Sequence, residues 1–150
     1  QYSVVTVSNP WPTAEKNYTY ILHQKGVVLP DSLQKFTKIQ VPIKSIVVTS
    51  TTHIPALELL GVEKSLVGFP NTDYISSEKT RQRVENGFIK EIGKENLLNT
   101  EVLLNLEPDL VVGYSVSTTD KSYSTKLKPF VAFTSNWFSS ILSSVLIIIL

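Results

Sequence analysis

The sequence contains no cysteine and no methionine. The first absence excludes disulfides, thiolate nucleophiles and cysteine-ligated metals. It does not fix a compartment, because many exported chains also lack cysteine. The second absence, with Gln1 at the start, reads as a processed or clipped product whose signal or lipid-attachment segment lies upstream. An excess of one charge is also missing. Fourteen Lys and Arg face thirteen Asp and Glu, for a net charge of +1. No basic block stands out, so nothing favours nucleic acid as a partner. Lys79, Arg81 and Arg83 are diluted by Glu78 and Glu85 and read as a solvated helix face.

Glycine is scarce, at six residues, and none lies between Thr49 and Gly61. There is no Gly-x-Gly-x-x-Gly, no Walker-type loop, no Gly-x-Ser-x-Gly and no paired metal-binding histidines. The sequence therefore gives no sign of an enzyme, a cofactor or a resident metal. Charge is missing from the C-terminal end too, since no Lys, Arg, Asp or Glu follows Lys128. The apolar run at its end, within Ser139 to Leu150, is shorter than the roughly 20 residues of a membrane-spanning helix. It reads as a buried strand or helix, a membrane-leaning end, or sequence from another frame.

What is present is globular: 42% of residues are apolar and 18% are charged. Alternation over Tyr2 to Ser8 predicts a strand, broken by Asn9-Pro10-Trp11-Pro12. A second strand is expected over Tyr18 to Leu22, a turn at Gln24-Lys25-Gly26, and short strands at Val27 to Leu29 and Lys38 to Val41. Residues 1–43 thus form a β-rich extension. After Pro42 the pattern changes. Ser45 to Thr49 is nearly continuous and apolar, as in a strand buried on both faces. Ser50-Thr51-Thr52-His53 follows, then a helix with Pro55 in its first turn and Gly61 at its end. A strand at Ser65 to Gly68 leads to the loop Phe69 to Tyr74. A polar helix capped by Ser76 or Ser77 runs through Glu85. Thr100 is the expected cap of a helix ending at Leu106. Strands at Asp109 to Gly113 and Pro129 to Thr134 complete the series.

This alternation predicts an α/β, Rossmann-like lobe over 44–134 with a mostly parallel sheet. Residues 135–150 are set apart as an aberrant or truncated apolar tail. Ligands of such sheets gather beyond the carboxyl ends of the strands. Thr49 to His53, Gly68 to Tyr74 and Tyr114 to Ser117 should therefore share one edge.

Three segments carry a family resemblance. Ser45-Ile-Val-Val-Thr-Ser-Thr-Thr-His-Ile-Pro-Ala-Leu-Glu-Leu-Leu-Gly-Val opens it, Leu66-Val67-Gly68 follows, and Asn99-Thr-Glu-Val-Leu-Leu-Asn-Leu-Glu-Pro-Asp-Leu-Val-Val112 closes it. In order and spacing they resemble the first lobe of the helical-hinge (class III) substrate-binding proteins of ABC importers for iron-siderophores, haem or cobalamin. The resemblance spans about half of the chain, and the tail departs from it. It implies an extracytoplasmic solute-binding component, periplasmic or held at the outer face of the cytoplasmic membrane, possessing one of the family's two lobes. It implies as partners a ferric siderophore, haem or cobalamin-type ligand and a membrane permease, with the protein itself a monomer. A frameshift or a truncation would account for both the missing lobe and the tail.

The candidate ligand contacts are Ser50, Thr51, Thr52 and His53 in the first loop, Phe69, Asn71 and Tyr74 in the second, and Tyr114 and Ser115 in the third. The hydroxyls can orient a ligand, and the aromatics can cover it. Each has a plainer reading. Thr51 or Thr52 can cap the helix, His53 can be a core histidine, and Phe69 and Tyr74 can pack on their own loop. The resemblance gives Glu101 the role of docking against Arg residues of the permease. The plainer reading is a Glu favoured at a helix start. Two other classes stay open: an α/β nucleotide-binding or enzyme domain, and a truncated interaction module.

Overall fold

A computed structural model describes residues 1–8, 17–94, 97–114 and 131–134. The N-terminal extension is a three-stranded sheet. Strands β1 (Tyr2–Val7), β2 (Tyr18–Gln24) and β3 (Thr37–Val41) lie in that order. β1 runs antiparallel to β2, with Tyr2 opposite His23 and Val7 opposite Tyr18. β3 runs parallel to β2. Period-two alternation turns Val5, Val7, Tyr20, Leu22 and Ile39 toward the core. Gly26 takes φ 82°, as the tight turn after β2 requires. The expected strand at Val27 to Leu29 does not form. The Val27 N–H closes the turn on the Gln24 carbonyl at 3.3 Å, and Pro30 has no N–H to offer a ladder. Val28 is left 92% exposed.

Past Ile43 the chain alternates strand and helix. β4 (Ile46–Val48) leads to α1 (Ile54–Leu59), β5 (Leu66–Phe69), α2 (Glu78–Glu85) and β6 (Lys90–Glu91). A small hairpin, β7 (Gly93–Lys94) with β8 (Leu97–Leu98), precedes α3 (Thr100–Leu106), β9 (Leu110–Tyr114) and β10 (Val131–Thr134). Five of these strands form a sheet in the order β10-β9-β4-β5-β6, with every neighbouring pair parallel. The α/β expectation holds. β6, β7 and β8 are additions, since two-residue strands carry no periodicity to read.

The helix ends follow side-chain chemistry. Pro55 sits in the first turn of α1, and Gly61, at φ 71°, donates to the Glu58 carbonyl beyond its last turn. Ser77 Oγ caps α2 by accepting from the Thr80 N–H at 3.2 Å. α3 is capped by Asn99 and not by Thr100. Asn99 Oδ1 accepts from the amides of Glu101 and Val102 at 3.1 and 3.2 Å. The amide oxygen of Asn99 reaches both orphan donors, so Thr100 becomes the first helical residue.

β4 is the sheet's centre, with Ile46, Val47 and Val48 all at 0% exposure. Its two faces bury different clusters. Ile46 and Val48 join Leu66, Leu110 and Val112 with Ile54 and Leu57 of α1 and with Val7, Leu22 and Ile39 of the N-terminal sheet. The extension and the lobe therefore share one core. Val47 and Val111 face the other way and pack with Ile92 and with Leu103 of α3. Gly68 explains how α3 lies so close. A Cβ there would stand 2.9 Å from Ile92, 3.0 Å from Leu106 and 3.1 Å from Val47.

Candidate functional site

All five strands point one way, so their carboxyl ends share an edge. The chain leaves β4 for β5 on one side and later returns to β9 on the other. Sheets of this kind receive ligands at such a reversal, here beyond the ends of β4 and β9. The Thr49 N–H is held there by the Val112 carbonyl at 3.1 Å. Ser50 follows in extended backbone, and Thr51–His53 turn as a short 3-10 helix into α1. Ser50, and neither threonine, is the cap. Its Oγ accepts from the Thr52 N–H at 3.4 Å and lies 2.8 Å from Thr52 Oγ1. Ser50 is half-buried, while Thr51 and Thr52 are exposed. The loop therefore presents hydroxyls beyond the end of the central strand.

His53 and Phe69 are not brought to this surface. They are 3% and 2% exposed. Phe69 belongs to the core cluster under α1 and α2. Burial pushes the His53 imidazole down to about 4, so the ring is neutral at pH 7. The sequence gives the reason in both cases. Each residue is adjacent to a core element, Phe69 as the last residue of β5 and His53 immediately before Ile54.

The second loop does reach the edge. Asn71 takes φ 49°, a left-handed conformation that asparagine tolerates. Its N–H donates to the Gly93 carbonyl at 2.9 Å, and its own carbonyl accepts from the Tyr74 N–H at 3.0 Å. Tyr74 stands 73% exposed. Its side chain is open to solvent and is not packed down on its loop. In the third loop, Tyr114 ends β9. Ser115 and the rest of that loop lie outside the described residues.

Sequence reasoning missed a fourth contributor. After β6 the chain enters the β7–β8 hairpin on this same edge. The Ile92 N–H donates to the Phe69 carbonyl at 3.1 Å, and the Asn99 N–H to the Ile92 carbonyl at 2.7 Å. Beside the hairpin lies an open hollow of about 460 Å³, lined by Glu91, Gly93, Lys94, Leu98 and Asn99. The pairing of Glu91 and Lys94 three residues apart was a visible signal, but only the hairpin gives it a place. α3 starts from this edge, so Glu101 sits there too, exposed in the first helical turn.

The opposite edge is built differently. The Asp109 carboxylate accepts from the amides of Lys44 at 2.8 Å and Ser45 at 3.0 Å, and Ser45 Oγ accepts from the Asp109 N–H at 2.9 Å. Burial works to raise the Asp109 carboxyl, but those hydrogen bonds and the Lys44 charge outweigh it and hold it below its usual range. Arg83 Nη2 donates to the carbonyls of Lys64 and Leu66 at 3.0 and 3.2 Å. Glu63, nearly buried, pairs with Lys79 at 2.7 Å. Between α1 and α2, the Ser77 and Thr80 hydroxyls donate to the Glu58 carboxylate. The Asp109, Ser45, Arg83 and Glu58 side chains are thus spent on joining one element to the next.

Among the described residues no group of three or more His, Asp or Glu is placed to hold a metal ion. No helix among them is long and apolar enough to cross a membrane. Residues 46–148 match the family model described as periplasmic binding protein, and that match runs on through the tail. No curated protein matches the chain. Among solved structures, one similar chain is that of the iron uptake ABC transporter substrate-binding protein PiuA from Streptococcus pneumoniae Canada MDR_19A. It is 18% identical with a TM-score of 0.46, over 68% of this chain. The chain spans 36% of that protein's length. With the family match covering well over half of the sequence, and an α/β lobe that fits it, this chain belongs to the periplasmic binding protein family.

Proposed function

We propose that the chain is the first ligand-binding lobe of an ABC importer's substrate-binding protein of the helical-hinge class, and that it receives an iron complex of the siderophore type. The observation that carries this reading is the make-up of the carboxyl edge in a member of the periplasmic binding protein family. Ser50, Thr51 and Thr52 present hydroxyls there, and Tyr74 presents a largely exposed ring. Hydroxyls that donate and accept can orient the oxygen-rich periphery of a metal chelate, while an aromatic face covers its apolar part. Asn71, Tyr114 and Ser115 complete the proposed contacts. His53 and Phe69 support the loops from below.

Glu101 is the proposed docking residue for the permease. Its support is exposure at the same edge as the ligand loops, so that one approach of the membrane partner meets both. A carboxylate paired with Arg fixes register more than it adds affinity. The proposed setting is the periplasm or the outer face of the cytoplasmic membrane, where a lipid anchor would hold the protein.

Isothermal titration with gallium(III) chelates of the catecholate, hydroxamate and citrate types tests the binding role. Gallium replaces ferric iron and leaves the protein spectroscopically clean. At least one chelate should bind the chain and lose about tenfold or more in affinity, about 1.4 kcal/mol, in a Ser50→Ala/Thr51→Ala/Thr52→Ala variant. No binding by any of the three would refute the iron-complex reading. For docking, Glu101→Ala should abolish transport by the full transporter while ligand affinity stays constant. Normal transport would remove Glu101 from that role.

A further inference from the structure

We propose that the hollow beside the β7–β8 hairpin is an accessory subsite for an anionic arm of the ligand, with Lys94 as the residue that selects for negative charge. The inference rests on the proposed chelate-binding function and adds to it a preference among chelates. The hollow, of about 460 Å³, falls within the usual range for a small-molecule site. It is joined to the Asn71–Tyr74 loop by the 2.9 Å hydrogen bond from the Asn71 N–H to the Gly93 carbonyl. A ligand lying over Tyr74 therefore has this hollow as its neighbour along the edge.

Its lining has the chemistry of an anion arm. Lys94 Nζ is 3.6 Å from the Glu91 carboxylate, beyond hydrogen-bond range, and the Lys94 side chain is 69% exposed. So loose and solvated a pair contributes little to stability, and the ammonium keeps its donors for another partner. Asn99 uses its amide oxygen to cap α3, which leaves its NH₂ as a second donor at the rim. Leu98 supplies an apolar wall. Glu91 sets the limit on the charge. With one ammonium beside one carboxylate among the described lining residues, the hollow suits a single carboxylate or phosphate-like group that displaces Glu91 from Lys94.

The test is an amide NMR titration of the ¹⁵N-labelled chain with gallium(III) citrate, repeated with the cationic gallium complex of desferrioxamine B. Citrate should shift the amides of Gly93, Lys94, Leu98 and Asn99 together with those of Ser50 to Thr52. Lys94→Gln should weaken citrate binding by about five- to tenfold, Glu91→Gln should strengthen it, and the cationic complex should respond in the opposite sense. Citrate shifts confined to the Ser50–Thr52 and Asn71–Tyr74 loops, or citrate affinity unchanged in both variants, would overturn the subsite while leaving the binding function intact. Absence of shifts with either chelate would overturn the subsite together with the iron-complex reading on which it rests.

Discussion

The two edges of the parallel sheet are made from similar residue types put to opposite use. At the amino edge, polar side chains are turned onto the backbone. Asp109 grips the start of β4, Ser45 returns the bond, and Arg83 ties the end of α2 to the start of β5. At the carboxyl edge, Ser50 and Thr52 bond within their own turn, and Thr51, Thr52 and Tyr74 stay exposed. One edge secures the fold, and the other keeps side chains available. The lesson is that a hydroxyl or carboxylate signals function by where its strand points, not by its identity.

Substitutions can break this contrast. The largest stability effect is expected between the edges, at Gly68. Gly68→Val would drive a side chain into Ile92, Leu106 and Val47 and cost about 2–3 kcal/mol. Denaturant unfolding monitored by circular dichroism would read it, and a loss below 0.5 kcal/mol would mean that α3 is not held against β5 as described. At the amino edge, Asp109→Ala removes the acceptor for two amides and should cost about 1–2 kcal/mol. For a chain of this size that is a drop of about 2–8 °C in Tm. Chelate affinity should not change. At the carboxyl edge, Tyr74→Ser should shift stability by less than about 0.5 kcal/mol, as for an exposed side chain, while reducing chelate affinity. Equal stability losses for Asp109→Ala and Tyr74→Ser would erase the distinction between the edges.

Acid sharpens the contrast in two stages. His53 is held by burial at about 4, below its ordinary value near 6.5. The unfolded chain therefore takes up that proton first, so stability falls as pH drops from about 6.5 to about 4 and then levels for this group. Asp109 and Glu63 are carboxyls held below their usual range, Glu63 chiefly by its hydrogen bond from Lys79. Their contribution is present above the ordinary carboxylate value and is lost as pH falls through their lowered folded values. A His53→Gln variant should flatten the upper stage alone, and Asp109→Asn should diminish the lower one. An unfolding midpoint that is constant from pH 7 to 4 would contradict the burial of His53.

The sequence carried the architecture further than the site. Residues with local reasons were legible. The apolar run at Ile46 to Val48, and Pro55 and Gly61 around α1, all sit where their chemistry demands, and a serine caps α2. Choices between adjacent polar residues were not legible. Asn99 took the cap from Thr100, and Ser50 took it from the threonines, because side-chain reach decides and sequence does not report it. Burial of His53 and Phe69 was hidden for a related reason. A residue at the boundary of an element faces core or solvent according to the packing of its neighbours, and here both side chains are turned into the interior. The β7–β8 hairpin was invisible because its pairing, Gly93 with Leu98 and Lys94 with Leu97, spans two residues on each side. The expected strand at Val27 failed because a neighbouring turn and Pro30 claimed its backbone.

The most direct test of the central claim is amide hydrogen exchange with and without a bound gallium chelate, read at both edges of the sheet. Added protection is expected at residues 49–53, 70–74 and 92–94, and none at 61–65, 86–88 or 107–109, where the chain turns at the amino edge. Protection centred on the amino edge, or spread evenly over both, would contradict it.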